Sequence, residues 1–565
     1  MRLRTKVTTY KDRFNRVYKV KKKIKKKDKL SVKDALTGEH SQAALEAIIG
    51  EINNMLHYQV GTYTRITDIP LDKRRHIIYS FMFLKDKYKP DGSFDKIKAR
   101  MVGDGKHQNS KLYNMVSSST VALSSVMLML NIASKYNAKV ASYDVGGAFL
   151  HAKLEEDDPD IYLKVTKDVA NIWKDVDPSA RDFLDDKGEI TLKLDRFIYG
   201  LKQSSYKFQQ HLVKCLTALG YRRLESDECL FIKRVGDQFS IISTHVDDIL
   251  QVATTQQLVD ELHNHLKAQY EDITYHPNAD SYVGMTLTRS HDGSVFDISQ
   301  TGLIDKVIDK FLTSEDRRQY KTPANDDIFE VDADDTNAPT VDRTEYLSLI
   351  MSLMYIGRLT RPDILLPVTY LATRSVRPTV DDMAKGKRIV SYLRRTRELT
   401  LRLHCEGPLQ LHISCDASYA VHADGKGHTG YTIHIGDTQS FVHARSGKQK
   451  LNSTSSTDAE ILALCEATKT TLHLRNILEE LSLEPKYKII AKQDNQSAIL
   501  MSTNPSKFAK SKHLLTKLMF IRGLYANKIL EIEYQHTSLI IADLLTKPKQ
   551  GGAFCAHRAN LLGIL

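Results

Sequence analysis

Residues 238–254, QFSIISTHVDDILQVAT, constrain the fold more than any other stretch of the chain. A β-branched apolar run ends at Val246. Two adjacent carboxylates follow, Asp247 and Asp248, and a second apolar run leaves from Ile249 to Ala253. Asp favours turns and the flanks favour strands, so the pattern predicts a strand, a tight acidic turn and a strand. Two neighbouring aspartates on a stiff hairpin repel each other. They become useful when a divalent cation sits between them and a third carboxylate, and phosphoryl transfer uses such a site, with two metals about 3.5–4 Å apart. Taken alone, a surface hairpin tipped by two solvated acids is the plainer reading. The rest of the chain overturns it.

At 565 residues the chain exceeds what one core holds, and three or four domains are expected. No apolar run reaches the ~18 residues of a membrane span, so no membrane partner is expected. The opening MRLRTKVTTYKDR has no apolar segment after its charges and does not read as a secretory signal. Cysteines at 215, 229, 405, 415, 465 and 555 show no CxxC spacing; they read as reduced intracellular thiols, neither a zinc site nor a disulfide framework. Residues 1–35 carry 15 Lys and Arg against 3 acids, which accounts for the whole formal charge of +12. The remainder is neutral, so contact between the folded body and a polyanion must come from local patches. The tail, with VKKKIKKKDK at 20–29, fits three readings equally: a phosphate-binding arm, a nuclear-import signal and a disordered solubilising segment.

In chain order, residues 44–56 have helical spacing, and 76–84 and 96–102 read as strands. On the second strand Lys96, Lys98 and Arg100 share one face, a grip for a triphosphate or simply a half-exposed edge. Residues 121–136 predict a buried helix. Residues 139–144 predict a strand ending at Asp144, with Gly146, Gly147 and Phe149 behind it, a pattern that suits metal and nucleotide binding or a plain strand-end turn. Residues 195–204 open a helix that runs to 219 and stops at Gly220. Residues 281–288 read as one strand. Leu303, Ile304, Val307, Ile308, Phe311 and Leu312 make one helical face. Residues 323–339, acidic and bounded by prolines, read as a linker. Helices are expected at 346–359 and 380–397. From residue 409 strands alternate with helices, and the pattern predicts a small α/β domain. Its strands end at Asp416 and Asp494, a long helix spans 458–481, and a short helix at 538–547 carries Asp543.

YDVGGAFLHAKL (143–154), IYGLKQSSYKFQQHL (198–212) and HVDDIL (245–250) resemble the polymerase motifs of copia-type LTR-retrotransposon reverse transcriptases. YIGRLTRPDILLPVTYLATRSVRPT (355–379) resembles the connecting segment of the same polyproteins. SCDASYA (414–420), STSSTDAEILAL (453–464), QDNQSAI (493–499) and IADLLTKP (541–548) resemble their ribonuclease H domain. Eight motifs in the family's order, spread over residues 36–550, make a specific signal.

The resemblance implies an α+β fold: a right-hand polymerase of fingers, palm and thumb with a connection segment, then an α/β ribonuclease H-like domain. The expected divisions are a basic disordered tail 1–35, fingers and palm 36–290, thumb and connection 291–404, ribonuclease H-like domain 405–550 and C-terminal tail 551–565. The implied function is an RNA-directed DNA polymerase with ribonuclease H activity. Asp144, Asp247 and Asp248 would be the palm carboxylates holding two Mg²⁺, with Mn²⁺ as a substitute. Lys98 and Arg100 would hold the triphosphate, and Gln203 would line the nucleotide pocket. Phe149 would exclude a sugar 2′-hydroxyl by collision. Asp416, Glu460, Asp494 and Asp543 would form a second two-metal site that directs water at the RNA of a hybrid. Residue by residue, Glu460 could instead close a capping box with Thr457, and His536 reads as an ordinary loop histidine. The implied partners are an RNA template, a DNA or tRNA primer, RNA–DNA hybrid, dNTPs and the integrase of the same polyprotein. The implied location is cytoplasmic, in a virus-like particle, with a nuclear phase. The rival reading is a decayed, non-catalytic nucleic-acid-binding relic.

His245 stands where the family carries an aromatic or apolar residue, and altered efficiency or fidelity is expected from it. Neither a protease triad nor an integrase zinc cluster is visible in these residues. The expectation is the reverse transcriptase and ribonuclease H part of a longer polyprotein, or a truncated element with its own Met1.

Overall fold

Strands Gln238–His245 and Asp248–Ala253 pair antiparallel with Asp248 opposite His245, which leaves Val246 and Asp247 as a two-residue turn. Val246 has φ 60°, a left-handed value that costs a β-branched residue energy. On its other edge Asp248–Ala253 pairs with Lys139–Val145, and Asp248 faces Asp144 in register. The full order is Ile273–His276, Lys139–Val145, Asp248–Ala253, Gln238–His245, Leu230–Val235, Arg222–Arg223. Alternation assigns the two faces. Val140, Ile241, Leu250 and Val252 pack on helix Leu123–Lys135. Tyr143, Val145, Ile242 and Ile249 pack on helices Ser204–Ala218 and Gln256–Gln269. These are the elements of the palm.

The computed structural model describes residues 31–88, 94–109, 117–330, 337–484, 488–504, 506 and 512–564. The basic run at 20–29 lies outside them. Of the expected tail, residues 32–35 already belong to helix Val32–Thr37, whose Ala35 is buried. A second sheet, the fingers, runs Gly61–Tyr63, Ile190–Leu194, Tyr162–Val165, Ile78–Tyr88, Phe94–Gly103. It has its own core with Ile48 and Ile52 of helix Ser41–His57 and Trp173 of helix Lys167–Val176.

Residues 195–203 are not helical, against expectation; the helix begins at Ser204. Gly200 has φ 89°, and a Cβ there would fall 2.2 Å from the Gly103 carbonyl oxygen. The Gly103 N–H donates to the Tyr199 carbonyl at 2.8 Å. The segment therefore spends its backbone on the fingers strand rather than on a helical turn. The single strand expected at 281–288 is also broken. Val283 and Gly284, at φ 47° and 73°, turn the chain between Ser281–Tyr282 and Met285–Arg289.

Met285–Arg289 pairs with Phe296–Ser299, which pairs with Leu401–Leu403. The expected boundary at 290 thus cuts a hairpin, whose strands belong to a separate four-stranded sheet. Helices Thr301–Phe311, Arg343–Leu359, Leu365–Thr373 and Val380–Arg395 follow. Residues 323–330 of the expected linker form no helix or strand, yet they are anchored. Ala324 and Ile328 are buried, and Gln550 Nε2 donates to the Ala324 carbonyl at 2.9 Å.

The last sheet runs Ser440–Lys448, His428–Ile435, Leu411–Ser418, Ile489–Gln493, Leu530–Tyr534, with the last two strands parallel to Leu411–Ser418. The long helix Ser456–Leu481 covers it, an α/β ribonuclease H-like arrangement. The helix expected at 538–547 is two 3₁₀ turns, Thr537–Leu539 and Ile541–Leu545. The tail expected at 551–565 is instead helix Gly551–Leu562, because Phe554, Leu561 and Leu562 share one buried face. One contiguous core joins the back of the palm, the connecting helices and this last sheet. Asn131 Nδ2 of the palm helix donates to the Phe441 carbonyl of the last sheet at 2.9 Å. Among the described residues no helix is long and apolar enough to cross a membrane.

Candidate active sites

Strand register brings Asp144 and Asp248 side by side, and the turn adds Asp247; the Val145 N–H donates to the Asp247 carbonyl at 3.1 Å. Asp144 is exposed, and Asp247 and Asp248 are half-buried. Burial, then Asp247 and Asp144, pushes the Asp248 carboxyl up to about 6. Burial and Asp247 raise Asp144 as well. Crowded carboxylates that resist ionisation are what a bound cation would relieve.

Lys98 lies in the field of this group. Burial and the neighbouring Arg100 and Lys87 lower its ammonium, and Asp144 and Asp247 pull it back up. The Arg100 guanidinium lies 4.5 Å over the Tyr199 ring, and Tyr199 meets the edge of Phe149 at 4.9 Å. Gln203 is buried in the adjoining loop, where its Oε1 accepts from Gln108 Nε2 at 3.2 Å. His245 Nδ1 is buried, with no hydrogen-bond partner among the described residues.

In the last sheet Asp416 sits on the central strand, Glu460 on the second turn of the long helix, and Asp494 just past Ile489–Gln493. Their oxygens lie within 4.8 Å of one another. Asp416 is 1% and Glu460 5% exposed, so burial raises both carboxyls, Glu460 well above its ordinary range. Asp543 joins them through a lysine. Lys547 Nζ stands 3.1 Å from Asp416 Oδ1 and 2.5 Å from Asp543 Oδ1. Lys549 pairs with Asp543 Oδ2, and Thr546 Oγ1 donates to Asp416 Oδ2. Burial would raise Asp543, but the hydrogen bonds from the two lysines outweigh it and hold that carboxyl below its ordinary range.

Glu460 Oε1 accepts from the Ala417 N–H and Oε2 from Gln493 Nε2, both at 3.2 Å. Gln493 Oε1 in turn accepts from the N–H groups of Asp494 and Asn495. Glu460 is therefore not part of a cap. That task falls to Ser455, whose Oγ accepts from the Asp458 N–H. His536 Nδ1 is engaged locally, with Ser538 Oγ at 2.9 Å.

Residues 62–325 match the family described as reverse transcriptase (RNA-dependent DNA polymerase). The retrovirus-related Pol polyprotein from transposon TNT 1-94 of Nicotiana tabacum is 27% identical over 531 residues, 92% of this chain and 37% of that polyprotein. The one from transposon RE1 of Arabidopsis thaliana is 26% identical over 555 residues, 96% of this chain and 36% of that polyprotein. Over residues 62–325 the chain is thus similar to reverse transcriptases, and over nearly its whole length to retrotransposon Pol polyproteins. It spans little more than a third of the length of these relatives. A solved foamy viral protease-reverse transcriptase in complex with ds DNA covers 87% of this chain and 69% of its own, at TM-score 0.48 and 13% identity.

All seven polymerase-side candidates, Lys98, Arg100, Asp144, Phe149, Gln203, Asp247 and Asp248, lie inside the matched span. The four ribonuclease H candidates lie beyond it, within the reach of the polyprotein similarity. Sequence reasoning missed Tyr199, Gln493, Thr546, Lys547 and Lys549. Only Lys547 carried a local signal, four residues after Asp543 in IADLLTKP.

Proposed function

We propose that this chain is an RNA-directed DNA polymerase and RNA–DNA hybrid ribonuclease that copies retrotransposon RNA and degrades the template behind it. The observation that carries the reading is the register of Asp144 against Asp248, with Asp247 on the turn that precedes Asp248. The convergence of Asp416, Glu460 and Asp494 on one point supports the second activity. Both donor sets fit a hard divalent cation such as Mg²⁺: they are all-oxygen, and in each the burial and mutual repulsion of the acids call for a positive charge. Asp144, Asp247 and Asp248 would hold it in the palm, and Asp416, Glu460, Asp494 and Asp543 in the last domain. Such cations activate an attacking oxygen and steady a leaving one.

The chain's own residues do the remainder. Lys98 and Arg100 bind and orient the triphosphate. Phe149 walls off the sugar 2′-position, and Gln203 lines the base side of the pocket. Gln493 holds Glu460 and the Asp494 backbone in one geometry. Fingers and palm occupy about 36–299, thumb and connection about 300–404, and the ribonuclease H-like domain with its closing helix about 405–562. Basic side chains hold the template–primer by its phosphates, so binding weakens steeply with salt.

The test uses labelled dTTP on poly(rA)–oligo(dT) with Mg²⁺, and a labelled hybrid for cleavage. The parent extends and cuts. Asp248→Asn stops extension and keeps cutting; Asp494→Asn stops cutting and keeps extension. A parent inert in both assays selects the relic reading, and coupled loss of both activities in either variant contradicts two separate sites.

A further inference from the structure

We infer that Tyr199 is a specificity-determining residue for the sugar of the incoming nucleotide, acting by holding Phe149 against the fingers. The inference rests on the polymerase reading above.

Phe149 follows Asp144 on the palm, and two rings hold it. Phe208, fully buried, meets it at 6.2 Å and 85°, and Tyr199 meets it at 4.9 Å and 71°. The first contact is palm to palm. The second is different, because Tyr199 is bonded to the fingers strand Phe94–Gly103. Its carbonyl accepts from the Gly103 N–H at 2.8 Å, and it bridges to Val102. The next residue is Gly200, where the backbone lies so close to Gly103 that no side chain fits between them. The Tyr199 ring is also met by the guanidinium of Arg100, at 4.5 Å, and Arg100 belongs to that same strand.

Tyr199 therefore touches both Arg100 and Phe149, linking the proposed triphosphate cation to the proposed sugar wall. A guanidinium over a ring and two rings meeting edge to face are both attractive contacts with defined geometry. Phe149 by itself could lean away from a ribose 2′-hydroxyl, because its ring is only half-buried. The Tyr199 ring restrains that movement, and it is itself held by Arg100. Both contacts are made by the ring, so the hydroxyl is dispensable.

Tyr199 is thus a positioning residue, and the test separates its role from general damage. Single-nucleotide extension of poly(rA)–oligo(dT) is measured with dTTP and with UTP in the parent, Tyr199→Phe, Tyr199→Leu and Phe149→Ala. Tyr199→Leu lowers the dTTP-over-UTP ratio of kcat/KM about tenfold, the size of one lost aromatic contact. The loss appears mainly as a lower KM for UTP, with kcat for dTTP largely kept. Tyr199→Phe restores the parental ratio. Adding Tyr199→Leu to Phe149→Ala changes the ratio no further, because the wall it braces is gone. A parental ratio in Tyr199→Leu, or full additivity with Phe149→Ala, overturns the inference while leaving the polymerase reading intact. A parent inert towards both nucleotides overturns both. If the leucine variant does not fold, Tyr199→His, a smaller flat ring, carries the same test: an intermediate ratio supports the role and a parental one overturns it.

Discussion

In the palm, three carboxylates stand partly in solvent, and among the described residues no side chain ion-pairs with any of them. In the last sheet, Asp416 and Asp543 are buried, and Lys547, Lys549 and Thr546 already engage their oxygens. Both groups face the same repulsion between clustered acids. The palm meets it only through the field of Lys98 and Arg100, with no ion pair among the described residues, and adds strain at Val246; the last sheet answers it with ammonium groups in direct contact. The palm is thus organised to need an external cation. The last site can rest without one, and a divalent ion that uses Asp416 and Asp543 together must share them with Lys547, whose side chain is 44% exposed and free to swing aside.

Lys547→Met gives the largest effect on stability. Removing one partner of a buried ion pair costs about 3–5 kcal/mol, and the exposure of the ammonium brings the expectation down to roughly 2 kcal/mol. Thermal melting in EDTA reads it, and saturating Mg²⁺ narrows the gap between variant and parent. Equal melting of the two in EDTA would mean that Lys547 is no counterion, and the contrast between the sites would vanish.

The next effect is on the palm and has a definite pH window. Asp248 titrates near 6 rather than 3.8, raised by burial, Asp247 and Asp144. A cation must displace that proton, so Mn²⁺ affinity measured in an Asp494→Asn background falls by up to tenfold per unit below pH 6 and levels above it. Stability of the metal-free chain runs the other way. The folded carboxyl holds its proton more tightly than the unfolded one, so this group's contribution falls as pH rises from about 4 to 6. Asp247→Asn removes one of the raising charges and moves the inflection in affinity downward. An inflection that stays near 6 in that variant assigns the shift to burial and Asp144.

The palm hairpin, the Asp144 strand and the strands ending at Asp416 and Asp494 were legible in the sequence from local signals, apolar runs that end in an acid, whereas Glu460 and Asp543 were singled out only by the family resemblance. What escaped it depends on distant partners or on reading past a motif. The 195–203 loop carries helix-compatible residues, and only the approach of Gly200 to Gly103 shows why it stays extended. Tyr199 acquires its role from Arg100 and Phe149, far off in the chain. Phe554, Leu561 and Leu562 sit at helical spacing, yet they follow the last recognisable motif and read as a tail. The anchoring of 323–330 is invisible without Gln550 and Arg388, whose guanidinium donates to the Ala324 carbonyl at 3.2 Å, because two buried residues in an acidic stretch make no period.

The smallest expected effect concerns Val246. A two-residue hairpin whose first central residue has positive φ is normally made with glycine there, since a β-branched side chain pays for that conformation. Val246→Gly relieves the strain and loosens the unfolded chain, two terms of about 1 kcal/mol each and opposite sign. Stability therefore changes by less than ~1 kcal/mol in urea unfolding. The turn also aims Asp247, and glycine lets it wander. Primer extension then falls several-fold while hybrid cleavage by the same preparation stays at the parental rate. Parental extension in Val246→Gly would mean that the strained turn contributes nothing to the palm site, and that strand register alone holds its acids in place.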